Sequence, residues 1–412
     1  MLSHCTYYQR RLMYYIMKEI INLPGPTALL RDAPIPSPNA DQVLIKVVVS
    51  GSNPKDWKVP EVAKNADSPL FARYAHVRDG VNQGDDIAGV VEAVGKNVVE
   101  FKVRPCAALS LIVPTGYKLM SRIARRPRRR IPRDANAGRF VRRVCPGLGA
   151  YHIPPAEGNL VRGCVLRLAS CVSRSNSSKN TLTKAEAATI PLAGLTAVIA
   201  LYHHLALPFP WRPATTATPL VIYGGSTAVG AFAIKLARRS NIHPIIAVAG
   251  KGASYITPLL DASRGDVVVD YRAGGEATAK GIRAALGAEP LEHVLDTIVS
   301  DESTRVLRGV IAPGGNINSV LPQERDVAPG VATNTWVSAA HEAGGPDDCR
   351  ELCYLFCRWF SRALQRGEFS GHPFEVRAGG LAGVQDALRD LMQGKASAVK
   401  YVFRIGDTPG IV

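Results

Sequence analysis

The sequence predicts an α/β protein in which a doubly wound parallel sheet follows a smaller, mostly β domain, and three observations carry that prediction. Pro219–Ala237, PLVIYGGSTAVGAFAIKLA, reads as a short buried strand, a glycine turn and a helix. Short apolar runs then alternate with helical stretches: residues 243–249, VVVDY ending at Tyr271, HVLDTI around Asp296, and GGNINSV after Pro313. Such alternation implies parallel strands joined by helical crossovers. Before residue 101 the pattern differs: DQVLIKVVVSGSN reads as a strand running into a turn, and GDDIAGVVEAVGKNV as a glycine-punctuated strand pair, which suits a small barrel.

At the N-terminus, MLSHCTYYQRRLMYYIMKEI has arginines and no acid before Glu19, as targeting peptides do. Its apolar stretch is broken by Lys18 and no small-residue cleavage site follows, which argues against a secretory signal. Met17 begins a sensible first strand, so residues 1–16 read as an upstream extension. Nothing in the sequence reads as an uninterrupted membrane span. With 412 residues, 46% of them apolar, the chain is long enough for two domains with real cores.

The net charge of +16 looks like a nucleic-acid signature until it is located. Residues 103–180 hold 16 Lys and Arg against only Asp134 and Glu157, and Arg10 and Arg11 supply the remainder. The rest of the chain is neutral, so nucleic acid is not an expected partner. The arginine-rich stretch lacks the interleaved aromatics of a single-strand binder. It reads either as an out-of-frame or intronic segment, expected to pack loosely over 104–180, or as a real anion-binding arm.

After Leu182, EAATIPLAGLTAVIALYHHLAL reads as a helix that crosses from barrel to sheet, with His203 and His204 as exposed or capping residues near its end. Pro208–Pro219 is a loop. Beyond Ser319 the chain returns to the first domain: CRELCYLFCRWFSRALQRGEF is an amphipathic helix, and residues 374–405 give strand, helix and final strand. Cys349, Cys353 and Cys357 fall on one helical face and read as small core residues. No cysteine pair has zinc-ligand spacing, and free thiols throughout suit a reducing, cytoplasmic setting.

A strand that turns straight into a helix aims unpaired N–H groups at whatever sits above it, and the helix dipole favours an anion. Against G-x-G-x-x-G, Gly225 and Gly230 take the outer positions while Thr227 takes the middle one. An ordinary β–α turn has the same look. The next strand ends about twenty residues beyond Gly230, where an NAD site places an acid on the ribose. Here the chain reads Gly250, Lys251, Gly252. A cation at that tip suits a 2′-phosphate and so NADPH, although a solvated loop lysine is the alternative.

SGSNPKDWK at 50–58, NQGDDIAGVVEAVGKNV at 82–98, EAATIPLAGLTA at 186–197, VIYGGSTAVGAFAIKLA at 221–237, DYR at 270–272 and SAVKYVFRI at 397–405 together resemble the medium-chain dehydrogenase/reductase superfamily, in its zinc-independent quinone reductase and fungal trans-acting enoyl reductase branch. The resemblance breaks off between Val103 and about Asn180. It implies a GroES-like β-barrel over 17–190, a Rossmann nucleotide domain over 191–322 and a return to the first domain over 323–412. It also implies no metal, since zinc relatives place a cysteine at Asn53 and a His-Glu pair at Gln83 and Gly84.

By the same resemblance, Lys55, Asp56 and Lys58 are the catalytic candidates, and Asn53, Lys55, Asp56, Trp57 and Lys58 border the nicotinamide end of NADPH. Gly225, Ser226, Thr227, Ala228 and Val229 bracket the pyrophosphate, and Gly250, Lys251 and Tyr271 the adenosine phosphate. Ala193, Gly194, Thr196 and Val320 border nicotinamide and substrate. A strand-end turn capped by Asn53 and Asp56 is the plainer account of the first group. Two function classes remain open. One is an NADPH-dependent reductase of a conjugated double bond, on a free enone or quinone or on a polyketide chain held by a partner synthase's carrier protein, working as a monomer or dimer. The other is a non-catalytic nucleotide-binding or defective product.

Overall fold

We describe the fold from a computed structural model, which describes residues 16–25, 27–67, 80–82, 84–99, 101, 183–321, 330–340 and 348–411, with the backbone of four short strands between them. An antiparallel ribbon of β1 (Ile16–Leu23) and β2 (Thr27–Pro34) leads to β3 (Val43–Gly51), α1 (Lys55–Lys64) and β4 (Asp86–Val94). β4 lies antiparallel on β3. The expected strand pair over 84–98 is therefore one strand. Its Gly89 marks a bulge, at the register shift between Val47 and Val49, because a Cβ there would stand 2.4 Å from the Lys46 carbonyl oxygen. In the arginine-rich stretch, β5 (Ser110–Ile112), β6 (His152–Ile153), β7 (Val161–Arg162) and β8 (Leu166–Leu168) pair as β5 with β8 and β6 with β7. The expected loose packing of 104–180 otherwise lies outside the described residues.

Thr183 caps α2 (Lys184–Ala187), its hydroxyl accepting from the Glu186 N–H at 3.1 Å. After a break at Thr189 and Ile190, α3 (Pro191–Val198) starts with a proline, where a missing N–H costs nothing, and runs into a π-helical turn over Ile199–His204. Residues 184–204 do have the length and hydropathy of a membrane span, against expectation, but 94% of their most apolar window is buried inside the protein. This is the core helix.

The nucleotide half follows as β9 (Leu220–Tyr223), α4 (Ala228–Arg239), β10 (Ile245–Ala249), α5 (Ala253–Ile256), β11 (Val267–Asp270), α6 (Gly275–Leu286), β12 (His293–Asp296), α7 (Asp301–Arg308), β13 (Asn316–Ser319) and β14 (Val331–Asn334). Its sheet is parallel and six-stranded in the order β11-β10-β9-β12-β13-β14. The order reverses beside β9, so the crevice for a ligand opens at that strand's C-terminal end. The sheet also runs past residue 322, where the sequence placed the return. Side chains tie on the added strand: Thr333 donates to Asn316 Oδ1 at 2.8 Å, Asn318 donates to Thr333 at 3.0 Å, and Thr335 donates to Asn318 at 2.7 Å.

The chain ends with α8 (Arg350–Gln365), β15 (Phe374–Val376), α9 (Val384–Met392) and β16 (Lys400–Arg404). β16 pairs with β15 and with β3, giving a sheet β15-β16-β3-β4 built from both ends of the sequence. Cys353, Phe356, Cys357 and Phe360 of α8 pack into one apolar cluster with α3, α4 and β9. The three cysteines on this face are buried, as their spacing predicts, and burial pushes the Cys353 thiol up. A second cluster fills the barrel half, around Ile45, Val47, Ile87, Val91, Leu388 and Phe403.

Candidate active site

The glycine turn is a cradle with a cap. Gly224 and Gly225 donate to the Val248 carbonyl at 3.0 and 2.9 Å, which pins the turn to the neighbouring strand. Thr227 is the N-cap of α4: its hydroxyl accepts from the Gly230 N–H at 3.0 Å and meets the Thr297 hydroxyl at 3.0 Å. That accounts for threonine at the middle position of the glycine pattern. Gly230 lets the helix pack close on the glycine turn, since a Cβ there would lie 2.3 Å from the Gly224 carbonyl oxygen. Ser226, Thr227, Ala228 and Val229 stay half-buried at the open end of α4, where unpaired N–H groups suit a pyrophosphate.

At the tip of β10, Lys251 is exposed and has no ion-pair partner among the described residues. The Tyr271 ring stands against Gly250, close enough that a Cβ there would be 2.7 Å from its Cε1. The nearby acid is engaged elsewhere: Arg272 grips Asp270 through Nε at 2.9 Å and holds its carboxyl down at about 2. Val320 follows β13, with its N–H donating to the Asp296 carbonyl at 3.2 Å.

The NPKDWK segment, expected as a strand-end turn, opens α1, with Pro54 at its N-cap, and its side chains divide by direction. Trp57 packs against the barrel cluster, and the Lys58 ammonium lies 5.7 Å from its ring centroid, lowered from the usual lysine value by burial. Lys55 instead sits between carboxylates, 3.6 Å from Asp56 Oδ1 and in direct contact with Asp85. Asp56 is buried, with Oδ2 accepting from the Asn53 N–H at 2.8 Å. Burial pushes it up to about 6, against the downward pull of Lys55. Burial likewise lowers Lys55, against the upward pull of Asp56.

Behind this turn lies a cluster that sequence reasoning missed. Asp86 is wholly buried and takes the Lys400 ammonium, the Asn53 amide at 2.8 Å and, on its other oxygen, the Leu192 N–H at 2.8 Å. Lys400 also donates to Asn53 Oδ1 at 2.9 Å. One carboxylate thus joins the NPKDWK turn, the last strand and the first turn of α3. The available signal is a charge inside an apolar strand, Asp86 in DIAGVV and Lys400 in VKYVF. Asp86 is the acid that meets Asn53, while Asp85 meets Lys55; Gln83 lies outside the described residues.

Residues 398–400 bridge the two halves. Lys400 reaches Asn53, while Ala398, with a left-handed φ of 53°, approaches the point where a Cβ on Gly252 would also strike Ser226. The structure therefore brings the Asn53–Asp56 group to the Ser226–Gly252 group through this loop. It does not bring Ala193, Gly194 and Thr196 to an open surface. All three are buried in α3, and the Thr196 hydroxyl is spent on the Leu192 carbonyl at 2.7 Å.

Comparison with known proteins agrees with this construction. Residues 39–104 match the alcohol dehydrogenase GroES-like domain. A trans-enoyl reductase of Gibberella fujikuroi, fsr4, is 32% identical over 369 residues, covering 88% of this chain and 91% of that protein. The trans-enoyl reductase phm4 of Pyrenochaetopsis is 25% identical, covering 92% of this chain and 94% of that protein. Two solved structures share the fold: a zinc-dependent alcohol dehydrogenase-like protein from Rhizobium etli (TM-score 0.63, 20% identity, 95% of this chain and 98% of that one) and the CurK enoyl reductase (TM-score 0.60, 16% identity, 94% and 98%). A GroES-like half whose sheet takes in the last strand, a parallel sheet with its cradle at the switch point, and a relative of this identity over nearly the whole chain make the protein an oxidoreductase with a nicotinamide-binding fold, and it belongs to the trans-enoyl reductase branch of the medium-chain dehydrogenase/reductase superfamily.

Proposed function

We propose that the protein is an NADPH-dependent reductase of a conjugated C=C bond, acting without zinc on an enoyl chain presented by a partner synthase's carrier protein or on a smaller free enone. The observation that carries this is Lys55, held between Asp56 and Asp85 on the turn that the 398–400 loop joins to the phosphate cradle. The names of the relatives support the reaction class. When bound, the nicotinamide supplies hydride to the β-carbon. Negative charge then develops on the substrate carbonyl, and the Lys55 ammonium is the fixed cation that stabilises it and can hand a proton to the α-carbon. Asp86, through Asn53 and Lys400, keeps the turn in place.

With a butenoyl pantetheine thioester, oxidation of NADPH should match formation of the saturated thioester. Cofactor binding without turnover on any enoyl substrate would favour the non-catalytic reading. NADPH should bind at least tenfold better than NADH, since a charge-assisted contact to the 2′-phosphate is worth about 1.5–3 kcal/mol. Lys251→Asp should narrow or reverse that preference, and equal affinities in the parent protein would remove the argument.

Zinc independence has its own check. Asp85 and Asp86 are each engaged by an ammonium, and among the described residues no three His, Cys, Asp or Glu side chains converge on a metal position. Metal analysis of protein purified without chelators should find no stoichiometric zinc. One tightly held zinc per chain would overturn the assignment.

A further inference from the structure

The chain between α8 and β15, residues 366–373, is a strap gripped from both halves of the molecule. Phe369 seats it on α4, stacked on Phe232 with ring centroids 5.8 Å apart. Lys235, on the same helix, holds its ammonium 5.3 and 5.8 Å from those two ring centroids. It donates to the Ser370 carbonyl at 3.1 Å, the Ser370 hydroxyl at 3.0 Å and the Gly371 carbonyl at 2.7 Å. Burial lowers Lys235 to about 8, against the upward pull of Glu186, so at neutral pH it keeps the three protons that these three acceptors take up. From the barrel side, the Gly371 N–H donates to Glu186 Oε1 at 3.0 Å and the His372 N–H to the Thr189 hydroxyl at 2.9 Å. The crossing is tight, because a Cβ on Gly371 would stand 2.8 Å from the Glu186 carbonyl oxygen.

Two routes lead from the strap to Asp86. At its end the Pro373 carbonyl accepts from the Lys400 N–H at 2.9 Å, and the Lys400 ammonium holds Asp86 and Asn53. Beside it, Thr189 leads into α3, whose Leu192 N–H donates to the other oxygen of Asp86. Helix α4 carries the phosphate cradle at its first turn, and Lys235 lies about two turns further on, about 10 Å along the axis. We propose that Lys235 is a positioning residue for the reduction: by locking α4 to the strap it sets where the cofactor cradle stands relative to Lys55. This rests on the reading of Lys55 above. Hydride donor and ammonium come from different halves of the molecule, and a displacement of about 1 Å between reacting groups can cost about a hundredfold in rate. Cofactor binding is separable from this lock, because the bonds that shape the cradle, Gly224 and Gly225 on Val248 and the Thr227 cap, do not involve the strap.

Lys235→Met and Gly371→Ala loosen the strap from its two sides, and both are assayed with butenoyl pantetheine thioester and NADPH. In each, kcat should fall about tenfold or more, while NADPH affinity and the KM for the thioester stay within about twofold of the parent. Lys235→Arg, which keeps a charged donor, should recover most of the loss. Tyr202→Phe controls for simple destabilisation: it removes a buried hydroxyl 2.9 Å from Ser240, on neither route, and should lower the melting temperature at parent kcat. Combined with Asn53→Ala, Lys235→Met should add little further loss of kcat, because both displace the same ammonium. Parent kcat in both strap variants would overturn the proposal. So would losses that multiply with Asn53→Ala, NADPH affinity that falls in step with kcat, or an equal loss of kcat in Tyr202→Phe. Lys55→Met separates the two readings: severe impairment there keeps the Lys55 reading whatever the strap variants do, and parent kcat there sinks it together with the positioning role. Should one strap variant not fold, the other decides by the same readouts.

Discussion

Asp86→Ala should remove about 3–5 kcal/mol of stability and nearly all turnover. The loss comes less from the missing attraction than from what remains, because the Lys400 ammonium, 4% exposed, would keep only the Asn53 amide oxygen as partner. The Leu192 N–H at the start of α3 and the Asn53 amide would lose their acceptor as well. Asp86→Asn should cost less, since a carbonyl oxygen can still face Lys400. The informative comparison is the double variant Asp86→Leu with Lys400→Met, which removes both charges. It should regain a large part of the stability lost in Asp86→Leu alone and little of the activity, because an apolar pair can fill the space but cannot hold Asn53 and the Lys55 turn. Urea denaturation and steady-state turnover measured together check both halves. Additive losses in the double variant would mean that the two residues do not form the unit described.

Gly230→Ala should weaken NADPH binding at least tenfold and lower stability by about 1–3 kcal/mol. The added methyl would stand 2.3 Å from the Gly224 carbonyl oxygen and 2.9 Å from the Gly225 Cα, both backbone, so neither can swing aside. Helix α4 must then lift from the strand, which breaks the Thr227 cap and moves the N–H groups off the phosphate position. Gly406→Ala is the matching control, because a Cβ there meets nothing within 4 Å. Quenching of NADPH fluorescence and thermal unfolding give the two numbers. Unchanged affinity in Gly230→Ala would place the pyrophosphate somewhere other than this turn.

How far the sequence could be read depended on how local each cause is. Strand β9 falls on Leu220–Tyr223 as expected, because a wholly buried parallel strand is a short apolar run with turn residues at both ends. The thiol face of α8 was legible from its spacing for the same reason. The single long β4 was not, because a glycine that permits a bulge looks the same in sequence as one that permits a turn. Strand β14 was hidden because VATN has little apolar character, and only its hydroxyl and amide partners on β13 show why it belongs to the sheet. At the candidate site, NPKDWK and GGSTAVG were visible as motifs, whereas the Asp86–Lys400 pair was not, since its members are 314 residues apart and nothing local in either names the other.

That separation also sets an order of assembly. The nucleotide sheet draws all its described strands from Leu220–Asn334, so these can pair as soon as that stretch is made, before α8 arrives to cover β9 and α4. The barrel half cannot, because β3 waits for β16. At about 5–20 residues per second, Asp86 leaves the ribosome roughly 15–60 s before Lys400 does. Throughout that interval the strand destined for the centre of the site carries a carboxylate whose counter-ion has not yet been synthesised, beside an open edge on β3. A truncation before Tyr401 would keep every described strand of the nucleotide sheet and leave β3 without its β16 neighbour.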